Sequence, residues 1–151
     1  MTERHAMHTH HGPTHLAVTG AQFFRQAQQV GALVLYHVPD EATRLLGQWA
    51  KLQEIGASRL RREHFGKRFP VLLLEVWQRA QSEGYTSLWV LWSPPDLYTA
   101  LSFEDYWNQL ITMLPLTVLC SYDYTAFASQ LSQFAQQHAW HYRAGRFISL
   151  S

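Results

Sequence analysis

Among 151 residues there is a single cysteine, Cys120. No disulfide can form within the chain, and a cysteine-rich zinc site is excluded. Lysine is almost as scarce. Lys51 and Lys67 are the only two, and neither precedes Ser or Thr. A P-loop needs glycines that let the backbone approach phosphate, then a Lys-Ser/Thr pair for phosphate and magnesium. No GxxxxGK[ST] and no GxGxxG occurs, which excludes nucleotide hydrolysis by that device. Charge is sparse as well, at 15% of residues with a net of +1. Bulk electrostatics therefore point to neither nucleic acid nor an anionic membrane. Long apolar runs are missing too. Val71–Leu74 and Leu88–Trp92 fall far short of the roughly 20 residues that span a bilayer. No basic segment followed by an apolar one opens the chain, so no signal peptide is read. Together with the lone cysteine, these absences lead us to expect a soluble cytoplasmic protein with no membrane partner.

What is abundant is aromatic and apolar. Hydrophobic residues make up 47%, and six are tryptophan. That is enough for a large core, an apolar pocket or a partner surface. The first 15 residues are polar and hold five histidines, His5, His8, His10, His11 and His15. They read as a mobile tail preceding an α/β domain over residues 16–151. Removing residues 1–14 is therefore expected to leave thermal stability unchanged. Imidazoles on such a tail could catch a transition metal, but an adventitious tail is the plainer reading, and no cofactor or metal site is assigned.

Beyond residue 15, short apolar runs alternate with amphipathic stretches. Phe23, Phe24, Ala27 and Val30 have helical spacing, with Gly31 as the stop. Ala32–Tyr36 reads as a strand buried on both faces. Ala42, Leu45, Leu46, Trp49 and Leu52 form a helical stripe ending at Gly56. Residues 57–70 lack periodicity. Pro70 suits the first turn of a helix running to Gly84. Ser87–Trp92 is a second strand. Ser102 with Asp105 resembles a capping box that opens a helix striped by Phe103, Tyr106, Trp107, Leu110, Ile111 and Leu114. Leu116–Cys120 is a third strand. Asp123 or Thr125 caps a helix striped by Phe127, Leu131, Phe134 and His138, and a last extended piece covers 141–150. Such alternation predicts a mainly parallel sheet with helices on both faces, joined by right-handed crossovers. Ligands of such sheets bind beyond the C-terminal strand ends. That rule selects Tyr36, His37, Trp92, Cys120, Tyr122 and Asp123, and His138 joins them if its stripe packs against the strand of Cys120.

Gly84-Tyr85, the strand ending at Trp92, the helix through Phe103–Leu110, then Cys120-Ser121-Tyr122-Asp123 and the late His138 resemble the MEDS family. These are sensory domains of methanogens, methylotrophs and a dichloromethane-responsive regulator. The Cys-x-Tyr-Asp string and the late histidine match residue by residue. His15, Gly31 and Gly56 fit more loosely. The resemblance spans about residues 15–148. It implies a single three-layer, RecA-like domain related to the circadian clock ATPase, with the Walker A loop lost. Two departures stand out. Where the family carries Arg and Glu before the central Trp, this chain has Trp89-Val90-Leu91-Trp92. The family's domains usually sit beside output domains, and none is read in this sequence.

Each candidate also has a structural reading. Cys120 could be a nucleophile with His138 or His37 as base, but a lone cysteine ending an apolar strand is usually a small buried hydrophobe. His138 could be a core histidine with one satisfied hydrogen bond. Asp123 could be spent as a helix cap. Arg59, Arg61, Arg62, Lys67 and Arg68 could touch phosphates, but no aromatic platform is interleaved with them, so nucleic acid is not the expected partner. The expectation is a non-catalytic sensory or regulatory domain that binds a small effector or a protein partner. The alternatives are a protein-interaction or homo-oligomerisation module, and an enzyme using Cys120 and His138.

Overall fold

In the computed structural model, which describes residues 4–52 and 54–149, the β-branched and aromatic runs become strands and the striped segments become helices. Strand β1 is Arg4–His10, β2 Ala32–His37, β3 Ser58–Arg59, β4 Ser87–Trp92, β5 Leu116–Asp123, β6 Trp140–Arg143 and β7 Arg146–Ser149. Helix α1 is Gly12–Gln29, α2 Asp40–Trp49, α3 Phe69–Ser82, α4 Leu97–Met113 and α5 Leu131–Gln137. One seven-stranded sheet runs in the order β3-β2-β4-β5-β1-β6-β7. Every pairing is parallel except the β6–β7 hairpin. Alternate strand residues feed two cores, as the period of two requires. Leu88, Val90, Val118 and Cys120 pack with α3, α4 and α5. Val34, Tyr36, Leu91 and Leu119 pack with α1 and α2. The expected α/β architecture with a mostly parallel sheet is therefore present. Among the described residues no helix is long and apolar enough to cross a membrane.

The largest correction concerns the presumed tail. Residues 4–10 form β1, held between β5 and β6 in the middle of the sheet. His5, Ala6, Met7, His8 and His10 are all buried. Gly12 and Pro13 do not mark a linker but open α1, with proline in the first turn, where a missing N–H costs nothing. Residues 1–3 lie outside the described residues. Three smaller differences follow from local chemistry. Helix α4 starts at Leu97, because Asp96 accepts a hydrogen bond from the Thr99 N–H at 2.7 Å. Ser102 instead bonds the Tyr98 carbonyl within the helix. The last extended piece is two strands turning at Ala144 and Gly145, both with positive φ. The unpatterned segment after α2 supplies the short edge strand β3.

Gly20 explains how α1 sits so close to its neighbours. A Cβ there would lie 2.9 Å from a Leu91 methyl and 3.0 Å from a Leu46 methyl.

Candidate metal centre

The period of two divides the polar residues of β1 and β5 between the sheet's faces. His5 and Cys120 point towards α4 and α5. Helix α4 brings Glu104 and Asn108, one turn apart, to the same place. Phe134 stacks on the Tyr122 ring at 4.2 Å. That contact fixes α5, and His138 follows directly after it.

Four side chains from distant parts of the chain thus meet. The ligand-capable atoms of His5, Glu104, Cys120 and His138 all lie within 4.8 Å of one another. Nε2 of His5 is 3.0 Å from Nε2 of His138 and 3.3 Å from Cys120 Sγ. Glu104 Oε2 is 3.4 Å from both imidazole nitrogens. All four residues are buried. These residue types in this arrangement can hold a metal ion.

The surrounding hydrogen bonds fix the protons. His138 Nδ1 is 2.7 Å from the Phe134 carbonyl, which only accepts, so Nδ1 carries the hydrogen. His5 Nδ1 donates to the Asn108 amide oxygen at 2.8 Å. Both Nε2 atoms therefore present lone pairs. Burial, helped by the neighbouring His138, lowers the His5 pKa to about 3. Burial likewise lowers that of His138 to about 4, so both rings are neutral at pH 7. Tyr122 donates its hydroxyl hydrogen to Glu104 Oε1, while Oε2 is buried with no hydrogen-bond partner. Burial raises the Glu104 carboxyl to about 7. Burial also pushes the Cys120 thiol well above its ordinary range, and the Glu104 carboxylate adds to the shift.

The seven residues selected from the sequence do not share one concavity. The structure brings together Cys120, Tyr122 and His138. Tyr36 points to the opposite core. Trp92 is sealed among Phe103 and Trp107, with ring centroids 5.7 and 5.6 Å away. Asp123 accepts from the Ala126 N–H at 3.0 Å and is spent on that turn. His37 donates from Nδ1 to the Leu60 carbonyl at 2.9 Å. It lines a separate cavity of about 1000 Å³ with Arg59, Arg61, Arg62 and Ser93. That cavity opens where the chain leaves β2 towards β3 and leaves β4 towards β5, on opposite sides of the sheet.

Two members of the cluster were missed. His5 was hidden by the tail reading, and His15, the loosely matched early histidine, lies on the other face beside His8. Glu104 had a visible signal. It lies three residues before Trp107 and seven before Ile111, on the apolar stripe of α4, where an unpaired carboxylate is costly. The assignment of no metal site rested on the lack of clustered cysteines and on reading the early histidines as an adventitious tail; the cluster uses one cysteine, and its His5 lies in β1. In comparison with known proteins, the chain matches no family model and no curated protein.

Proposed function

We propose that the chain is a non-catalytic sensory or regulatory domain whose binding centre is the sealed cluster of His5, Glu104, Cys120 and His138. The observation that carries this reading is the pair of imidazole lone pairs facing each other beside an unpartnered carboxylate oxygen. A polar core built only for stability would pair such groups. The MEDS resemblance supports the regulatory role. A RecA-like scaffold stripped of its phosphate loop is proposed with it, since β1 passes into α1 through His11 alone, leaving no room for an eight-residue P-loop. The Cys120–His5 contact is the one feature favouring a thiol enzyme, but complete burial and the raised thiol pKa oppose a nucleophilic role. Alkylation decides between them. Iodoacetamide at neutral pH should modify native Cys120 only as slowly as the chain unfolds. Rapid modification of the folded chain would overturn the sealed-centre reading.

A second reading is favoured by the cavity lined by His37 and Ser93. Its three arginines, Arg59, Arg61 and Arg62, suit a small anionic effector, although Arg59 is already paired with Asp40 at 2.6 Å. Inorganic pyrophosphate should bind there and lose affinity in the Arg61→Ala, Arg62→Ala double variant. No heat on titration would remove this reading. Homo-oligomerisation would use exposed Leu97, Tyr98 and Leu101 at the start of α4, and sedimentation equilibrium tests it.

A further inference from the structure

A buried group of four polar side chains must either satisfy itself or be satisfied by something else. The first route fails here on counting. Each imidazole has one N–H, and both are already committed, to Asn108 and to Phe134. The Tyr122 hydrogen goes to the other carboxylate oxygen. The Cys120 thiol has one hydrogen and can serve His5 Nε2. With Glu104 ionised, that leaves His138 Nε2 and Glu104 Oε2 as acceptors facing acceptors in a buried interior, and a carboxyl proton on Oε2 would have to span 3.4 Å to either Nε2, longer than an ordinary O–H hydrogen bond. A shared electrophile resolves the conflict at every atom simultaneously.

Distance supports the same answer. A tetrahedral ion holds nitrogen and oxygen at about 2.0–2.2 Å and sulfur at about 2.3 Å, which puts its ligand atoms roughly 3.3–3.7 Å apart. The separations here are 3.0 Å between the nitrogens, 3.4 Å from each to the carboxylate and 3.3 Å from His5 Nε2 to sulfur, and no pair in the cluster exceeds 4.8 Å, so small side-chain shifts would close it on an ion. The outer contacts have the pattern of a metal centre. Each imidazole is oriented by a carbonyl or amide oxygen on its far nitrogen, and the carboxylate is held by a phenol. Charge also balances. A thiolate and a carboxylate neutralise a divalent cation, so the loaded centre is uncharged, as its burial demands. Two imidazoles with a thiolate select a borderline-soft ion over magnesium or calcium.

We propose that His5 Nε2, Glu104 Oε2, Cys120 Sγ and His138 Nε2 bind one zinc-class divalent ion in a closed, four-coordinate centre. This deepens the regulatory reading and rests on it. On binding, the thiol proton leaves to solvent, together with the carboxyl proton where Glu104 holds one. With four protein ligands the ion has no position left for substrate, so its role is sensing or bracing rather than catalysis.

Cobalt(II) is the probe, added to the untagged full chain after treatment with chelator. We expect one cobalt per chain, intense visible absorption from a four-coordinate ion and a near-ultraviolet thiolate-to-cobalt band. Because Cys120 is the only cysteine, that band identifies the site without any variant. One equivalent of zinc should displace it. Cys120→Ser should remove the band, and His138→Ala should weaken zinc binding by more than the roughly 10–100-fold that loss of an outer partner costs. His11→Ala with His15→Ala should change neither. Pale absorption with no thiolate band, or zinc binding that survives Cys120→Ser, overturns the proposal, whether or not the variants fold. Native mass spectrometry of the chain as purified separates the two readings. A retained organic ligand that Cys120→Ser releases would refute the metal and keep the regulatory centre. A chain with no adduct and no thiolate band would refute both.

Discussion

His5 and Cys120 leave the β1–β5 pair on one side, and His8, His10 and Ser121 leave it on the other. The side chains are similar in kind, but their hydrogen bonding is not. Ser121 Oγ lies 2.8 Å from His8 Nδ1 and 2.7 Å from His10 Nδ1. A hydroxyl can donate to one ring and accept from the other, so it serves both. His8 Nε2 reaches Thr19 Oγ1 at 3.2 Å. His10 Nε2 faces the half-exposed Asp123 at 3.9 Å. On this face each buried imidazole has a hydroxyl partner within the protein. The other face ends on facing lone pairs. Burial alone therefore does not mark a ligand centre; burial with acceptors left over does.

The comparison can be broken most severely by taking away the strand that carries both histidine sets. Deleting residues 1–10 should abolish cooperative unfolding and the folded circular dichroism spectrum, because β5 and β6 lose their shared neighbour. A truncated chain that melts like the full one would mean β1 is dispensable.

The next effect is on pH. Burial, with the neighbouring His15, His10 and His11 adding to it, lowers His8 to about 3. Burial lowers His10 to about 4, with Asp123 partly opposing. Their ordinary value is about 6.5. The unfolded chain therefore binds more protons below pH 6.5, and stability falls as pH drops from there towards 4. Between pH 7 and 5 the loss should be on the order of 2 kcal/mol for each histidine, read from urea midpoints. A His8→Gln, His10→Gln double variant should show a shallower decline. An equal decline would place its source elsewhere.

Ser121→Ala sharpens the contrast by removing the shared hydroxyl one residue from Cys120. It should cost roughly 2–4 kcal/mol, since two buried imidazoles lose a partner, while the thiolate-to-cobalt band stays. Tyr122→Phe should do the reverse, weakening zinc by roughly 10–100-fold with the smaller change in urea midpoint. If both variants moved both measurements together, the faces would not be separate. The smallest effect expected is none at all. Titration with magnesium-ATP should give no binding heat, because the β1–α1 connection has no phosphate loop, and micromolar affinity would contradict that.

Much of the frame was legible. The runs Ala32–Tyr36, Ser87–Trp92 and Leu116–Cys120 announce themselves because strands buried on both faces must be apolar throughout. Strand β1 is buried equally and reads Arg-His-Ala-Met-His-Thr-His, so its interior positions carry imidazoles that look like solvent-facing residues in a sequence. Their partners Ser121, Thr19, Asn108 and Cys120 are 11 to 115 positions away, and no local pattern reports them. Cys120, Tyr122 and His138 were found because a strand end and a helix stripe are local signals. Tyr36 was grouped with them because proximity to a strand end does not say which face a side chain takes, and Trp92, on the same face as Cys120, because a strand end does not say which side chains pack closed against a helix.

The place of β1 in the sheet has a further consequence for the order in which the chain can assemble. Strand β1 pairs only with β5 and β6, which follow it by more than 100 residues. Strands β2 and β4 can pair early, but the middle of the sheet stays unfinished until nearly the whole chain is available. Folding of such long-range pairings is slow. An ion gripping His5 and His138, 133 positions apart, would cross-link the beginning and end of the chain, a task that a protein with one cysteine cannot give to a disulfide.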